Sequence, residues 1–268
     1  MTALKSSLII STYNWPEALE LCLLSVLAQE TLPDEILIAD DGSGEATKFL
    51  IEKYRGSFNI SLKHVWHEDN GFRLAQIRNK AIAAAKGDYI IQIDGDLILH
   101  KKFISDHIAF SKSGSFVRAS RIYLDQKLSK ELLVSKSIKF SIFNKGLSNK
   151  LSALHVPFLW NYFEYNYKSK GDERYEIHGC NMAFWRKDAI AVNGYNEDFK
   201  GWGPEDKEFV VRLLNSGVKK RFIKMGGQVF HIYHNENMKE NLNSNLSIFK
   251  DAIKDVKTFC VKGINQYL

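Results

Sequence analysis

The sequence predicts an α/β fold built on a mainly parallel sheet, and three observations carry that expectation. Apolar, β-branched runs alternate with segments of helical period through residues 7–94. The connections between them are short, which suits strands covered by crossover helices on both faces. Each run also ends on a polar cluster, where ligands of parallel sheets bind.

Taken in order, residues 7–12 (Ser-Leu-Ile-Ile-Ser-Thr) read as the first strand. Pro16, pre-set for a first helical turn, opens a helix over 16–28. A second strand, Glu35–Ala39, runs into Asp40-Asp41-Gly42-Ser43, followed by a helix near 45–54 and a strand near 60–66. Leu74, Ile77, Ala81 and Ala84 recur at helical spacing through 73–85, and Gly87 stands where that helix stops. The strand 89–94 closes the series and delivers Asp94-Gly95-Asp96. Asp-Gly between apolar runs is also a hairpin signal. A hairpin would need 97–99 to fold straight back, whereas Lys101-Lys102-Phe103-Ile104 reads as a helix start after a short loop.

With 268 residues, 45% hydrophobic and 25% charged, the chain can bury a substantial core and is not disordered in bulk. Three scattered cysteines, Cys22, Cys180 and Cys260, make neither a disulfide framework nor a zinc pattern, so a reducing, cytoplasmic setting is expected. No apolar run approaches the ~18 residues of a transmembrane span. The N-terminal apolar stretch is too short for a secretory signal and reads as the first strand. The net charge of +6 suits nucleic acid, anionic membrane and phosphate-bearing substrates alike.

Between about 126 and 170 the pattern changes. Eight lysines, Lys168 and Lys170 among them, face two glutamates, interleaved with aromatics from Phe140 to Tyr167. The stretch reads as a partly helical insertion, either an ordinary solvated basic face or a surface for anionic lipid. Near the end, Leu246, Phe249, Ile253 and Val256 share a helical stripe that reads as a docking helix.

Common nucleotide motifs are absent. Gly42-Ser43-Gly44 has two glycines of a dinucleotide fingerprint without the third, and there is no GxxxxGK[ST] phosphate loop. A diphosphate bound here would need another counter-charge, and a cation held at Asp94-Gly95-Asp96 supplies one. Mn²⁺ tolerates imidazole better than Mg²⁺ does, which makes His231, ending an apolar strand, a candidate ligand as well as a structural histidine.

Taken together, Thr12-Tyr13-Asn14, Asp40-Asp41-Gly42-Ser43, Asn70-Gly71-Phe72 with Arg78-Asn79, and Asp94-Gly95-Asp96 resemble a family 2 glycosyltransferase of GT-A fold. Gly179-Cys-Asn181-Met-Ala-Phe184 and Gly201-Trp-Gly-Pro-Glu-Asp206 resemble the galactosyltransferase-type C-terminal region. The Asn70–Ala85 segment is most similar to bacterial capsule polymerases of the chondroitin type. The match covers 6–99 and 176–235; Pro204 departs from the glycine common among relatives.

The resemblance implies a nucleotide-sugar half over 1–99 and an acceptor-binding, catalytic half over 100–268, within one continuous domain. It implies that Thr12, Asn14 and Asp41 hold the uridine and ribose, with Asp40 supporting their loop. Arg78 would orient the donor or its pyrophosphate, and Asp94 would bind sugar or ribose hydroxyls. Asp96 and His231 would be the ligands of Mn²⁺ or Mg²⁺, with His234 a rival to His231. On the acceptor side, Trp202, Gly203 and Asn181 would contact substrate, Asp206 would be the base and Glu205 an acceptor-hydroxyl ligand. A helix start over 205–214 favours acidic residues through its dipole, but that does not explain the shaped Gly-Trp-Gly-Pro approach.

The expected activity is therefore inverting transfer of a hexose or N-acetylhexosamine from a UDP-sugar. Its acceptor would be a glycan or lipid-linked glycan of a bacterial surface polysaccharide or lipopolysaccharide, with peripheral contact to the inner membrane face. Nucleic acid is not expected as a partner, since no module signature appears. Two alternatives stay open: a nucleotidyltransferase acting on sugar phosphates, and a non-catalytic protein that binds a membrane surface or polyanion.

Overall fold

The structure is a computed structural model and describes residues 4–165, 171–235 and 241–268. Its first half follows the expected alternation. Strands β1 (Ser6–Thr12), β2 (Glu35–Asp40), β3 (Ser61–Trp66) and β4 (Tyr89–Asp94) are parallel, and helices α1 (Pro16–Leu27), α2 (Glu45–Arg55) and α3 (Leu74–Ala84) connect them. β1 and β2 are buried at every residue, which is why their sequences are continuous apolar runs rather than alternating ones. Leu8 and Ile10 face one core layer with Leu19, Cys22 and Leu23 of α1, while Ile9 faces the other with Ala75, Ile77 and Ala81 of α3. The register pairs Thr12 with Asp40 and Ser11 with Asp94, so the polar ends share one rim.

After β4 the chain neither makes a hairpin nor enters a plain loop. Residues 97–99 form β5 (Leu97–Leu99), which leaves β4 for a second, three-stranded sheet before α4 (Phe103–Ala109) begins. Next come β6 (Ser115–Ala119), β7 (Arg121–Tyr123), α5 (Gln126–Ser135), α6 (Trp160–Tyr165), β8 (Asn181–Trp185) and α7 (Arg186–Ala191). The chain continues through α8 (Glu205–Asn215), β9 (Lys219–Ile223), β10 (Val229–His231) and α9 (Leu242–Lys254). The large sheet has the order β3-β2-β1-β4-β8-β6-β9, with β8 antiparallel to both neighbours; the small one has the order β5-β10-β7. Each half of the chain thus contributes strands to both sheets.

The insertion divides in two. Phe140 packs edge-on against Phe230 at 4.8 Å, and the Trp160 indole donates to the Met225 carbonyl at 3.1 Å. Phe143, Phe158 and Tyr162 instead stand at least 71% exposed, and Lys127, Lys130, Lys136, Lys139, Lys145 and Lys150 are exposed as well. Tyr167, Lys168 and Lys170 lie outside the described residues. No helix among the described residues is long and apolar enough to cross a membrane, and all three cysteines are buried and free.

Candidate active site

A cleft of about 1380 Å³ opens over the carboxyl ends of β1 and β4. Thr12, Asp41, Arg78, Asp94 and Asp96 line one side, and Trp202, Gly203, Glu205 and Asp206 the other. The two acidic clusters therefore share a single hollow.

On the first side, Gly42 makes the turn after β2. Its φ of +99° suits glycine, and a side chain there would strike the Asp69 backbone at 2.6 Å. Asp41 is held by the Arg73 N–H at 2.9 Å and by His67 Nε2 at 2.7 Å. Asp40 is fully buried and does not line the cleft; it accepts from the Ser43 N–H and meets His64 Nε2, both at 2.8 Å, so it braces the loop. Asn14 does not line the cleft either. Its side chain accepts from the Gly44 N–H at 2.9 Å while its own N–H donates to Ser43 Oγ, which makes it a brace between two loops.

Arg78 sits in the cleft floor. It is 2% exposed, and its guanidinium donates to Asp94 at 3.0 Å and Glu205 at 3.4 Å, with Nε reaching Ser11 Oγ. It therefore joins the two acidic clusters. Burial, with the charge of Asp206, pushes Glu205 up to about 8 even though Arg78 pulls the other way. Enclosure in the floor raises Asp94 too, assisted by Asp96 and opposed by Arg78. Arg121, which no motif flagged, lines the same cleft, with its guanidinium 4.5 Å over the Tyr123 ring.

Asp96 fits a divalent cation. His231 Nε2 and His234 Nε2 lie 3.4 and 3.2 Å from Asp96 Oδ2, and Asp96 Oδ1 is buried with no hydrogen-bond partner. One ligand atom from each of the three residues falls within 4.8 Å of the others. The cluster forms because β10 pairs with β5 and the Ile232 N–H donates to the Asp96 carbonyl at 3.0 Å. Both histidines are brought in, so they are not rivals. A carboxylate with two imidazoles suits Mn²⁺ better than Mg²⁺. Burial lowers His231, whereas Asp96 holds His234 protonated up to about 9, a proton that a bound ion would displace.

On the far side, α8 opens with Glu205 and Asp206. Asp206 Oδ2 accepts from the Gly179 N–H at 2.8 Å, and a side chain on Gly179 would meet that oxygen at 2.7 Å. Trp202 is 40% exposed in the cleft wall. Its loop is held from behind by buried Asn245 of α9, whose amide donates to the Lys200 and Trp202 carbonyls, both at 2.9 Å. A side chain on Gly203 would meet that amide at 2.6 Å. Asn245 lies outside every motif, and nothing in the sequence of α9 sets it apart from the other polar residues there. Asn181, expected at the substrate, is fully buried: it donates to the Ser120 and Gly227 carbonyls, both at 2.9 Å, and meets His107 at 3.2 Å. It ties strands together and does not reach the cleft.

Comparison with known proteins places these features in context. A family model described as glycosyl transferase family 2 matches residues 7–191, and one described as the N-terminal domain of galactosyltransferase matches residues 160–235. The chain is 28% identical over 253 residues to a chondroitin synthase of Escherichia coli, covering 84% of this chain and 34% of that protein. It is 27% identical over 223 residues to a hyaluronan synthase of Pasteurella multocida, covering 79% of this chain and 23% of that one. The chain thus spans about a third or less of these relatives. Among solved structures, GalNAc-T7 with UDP, GalNAc and Mn²⁺ superposes with a TM-score of 0.68 at 17% identity, covering 99% of this chain and 53% of that one. TarS 1-349 of S. aureus in complex with UDP-GlcNAc gives 0.61 at 18% identity, covering 87% and 60%. At such identities the likeness is one of fold, the expected GT-A arrangement.

Proposed function

The chain belongs to glycosyl transferase family 2, and from that premise we propose that it transfers a hexose or N-acetylhexosamine, with inversion, from a UDP-sugar to a glycan hydroxyl. The observation that carries the reading is that the Asp94–Asp96 rim and the Glu205–Asp206 pair line one cleft and are bridged by Arg78. The relatives that make chondroitin and hyaluronan support a bacterial surface polysaccharide or lipopolysaccharide as product.

In this reading Asp96, His231 and His234 hold Mn²⁺, which when bound supplies positive charge for the departing diphosphate. Thr12 and Asp41 line the nucleoside side, and Arg121 adds a cation to the same cleft. The acceptor lies against Trp202. Asp206 takes the acceptor O–H proton as the new C1–O bond forms, while the electrons of the breaking C1–O bond leave with UDP. Asp206 suits the base role better than Glu205 because it is partly open to the cleft, whereas Glu205 is buried against Arg78. Glu205, with its affinity for a proton raised, can both accept from and donate to an acceptor hydroxyl.

The exposed lysines and the exposed Phe143, Phe158 and Tyr162 of the insertion support a peripheral contact with anionic lipid. Vesicle sedimentation at low salt tests that contact, and no binding ends it. The transferase reading is tested with a panel of UDP-sugars and Mn²⁺, followed by donor hydrolysis and thermal shift. At least one UDP-sugar should be turned over only with the metal. A panel in which none binds or reacts would overturn the reading.

A further inference from the structure

A second group of metal-type ligands lies apart from the cleft, where the insertion meets the core. His100 follows β5, Asp106 sits in α4, and His155 lies between two short turns of the insertion. One ligand atom from each falls within 4.8 Å of the others. None of the three lines the cleft.

The local geometry is that of a prepared site. His155 Nε2 lies 3.0 Å from Asp106 Oδ1, close to the ~3.4 Å edge that bonds of about 2.1 Å span at a tetrahedral ion. Asp106 Oδ2 is fixed from behind by the Gly227 N–H at 2.9 Å, an outer contact of the kind that orients a ligating carboxylate. Gly227 has a φ of +54°, and a side chain there would press on His107 at 3.0 Å, so this donor position is built for glycine. The His100 and His155 rings stack with centroids 5.1 Å apart and an interplanar angle of 18°. Binding through either nitrogen of His100 gives up a long 3.3 Å hydrogen bond from the Lys102 N–H to Nδ1. Asp106 itself is buried, and His155 Nε2 lies within 3.1 Å of both its oxygens, so an ion there would take the place of that hydrogen-bonded pair.

We propose that His100, Asp106 and His155 form a second divalent-metal site, selective for Zn²⁺-type ions, that clips the insertion onto the core. Two nitrogens and one oxygen favour a borderline transition ion over Mg²⁺ or Ca²⁺. The clip acts where the insertion already touches the core, since the Val156 N–H donates to the Met225 carbonyl at 2.9 Å and Gln228 Nε2 donates to the Leu154 carbonyl at 2.6 Å. The inference is independent of which sugar is transferred, or whether any is.

The test counts bound Zn²⁺ by atomic emission on the full chain, stripped with chelator, reloaded and desalted. It compares the parent, Asp96→Ala, His155→Ala and the double variant. Asp96→Ala should retain a stoichiometric Zn²⁺, and adding His155→Ala should remove it. In Asp96→Ala, Co²⁺ should give the visible absorption of a low-symmetry site, and Zn²⁺ should raise the melting temperature; both effects should vanish in the double variant. Asp106→Asn keeps an acceptor for the Gly227 N–H and repeats the test should His155→Ala fold poorly. Zn²⁺ content unchanged by His155→Ala and Asp106→Asn, or no Zn²⁺ in a folded Asp96→Ala, overturns the proposal.

Discussion

Glu205 lies 3.4 Å from Arg78, whose guanidinium also reaches Asp94 at 3.0 Å, so one buried cation serves carboxylates on both walls of the cleft. Removing it takes the cationic partner from Asp94 and the hydrogen-bond donor from Glu205. Arg78→Ala should destabilise the chain by ~3–5 kcal/mol in chemical denaturation, the usual loss when one member of a buried ion pair is deleted. A change under ~1 kcal/mol would show the network to be solvated.

Burial of Glu205, which outweighs the pull of Arg78, sets a pH dependence. Folding raises Glu205 from 4.5 to about 8, so the folded chain keeps a proton that the unfolded chain releases inside that window. Stability should therefore fall as pH rises from about 4.5 to about 8 on account of this group. Glu205→Gln removes the titration. The melting temperature of the variant relative to the parent should climb across the window, and a pH-independent difference would contradict the shift.

Donor and acceptor functions should separate by mutation. Asp96→Ala should abolish the part of UDP binding that depends on Mn²⁺, read by calorimetry with and without chelator. Identical binding in both conditions would remove Asp96 from the metal site.

Asp206→Asn should leave UDP affinity intact while cutting turnover by ~10²–10⁴-fold, the range of a lost general base. The Gly179 N–H can still donate to the amide oxygen, so a large fall in UDP affinity would point to a structural role instead.

Asn245→Ala should loosen the Trp202 loop without touching the nucleotide side. Acceptor kcat/KM should drop by ~10–100-fold as the wall loses its position, with UDP affinity unchanged and faster proteolysis near Gly201–Gly203. Parent-like kinetics would confine Asn245 to packing.

The donor half of the fold was legible because parallel strands buried on both faces write themselves as apolar runs, and the register of β1, β2 and β4 then lines up Thr12, Asp40 and Asp94 without further information. Residues 97–99 were harder. Three residues carry too little pattern to distinguish a loop from β5, whose partner β10 lies far away in sequence. The metal cluster was half legible: Asp96 and His231 stood out, but which histidine joined could not follow from spacing alone, and the structure brings in both. Motif reasoning gave Asn181 a substrate contact, since text does not reveal that its amide donates to the Ser120 and Gly227 carbonyls, and it did not show the neighbours that Asn14 and Arg78 hold. Asn245 was invisible because it works through two carbonyls from a helix beyond the matched region.

The pairing of β5 with β10 has a bearing on synthesis. A ribosome releases the nucleoside side of the cleft first, and Asp96 must then wait for His231 and His234, which follow about 135 residues later in the sequence. A nascent chain arrested before that point holds Asp96 without the two imidazoles that β10 and the residues after it bring alongside.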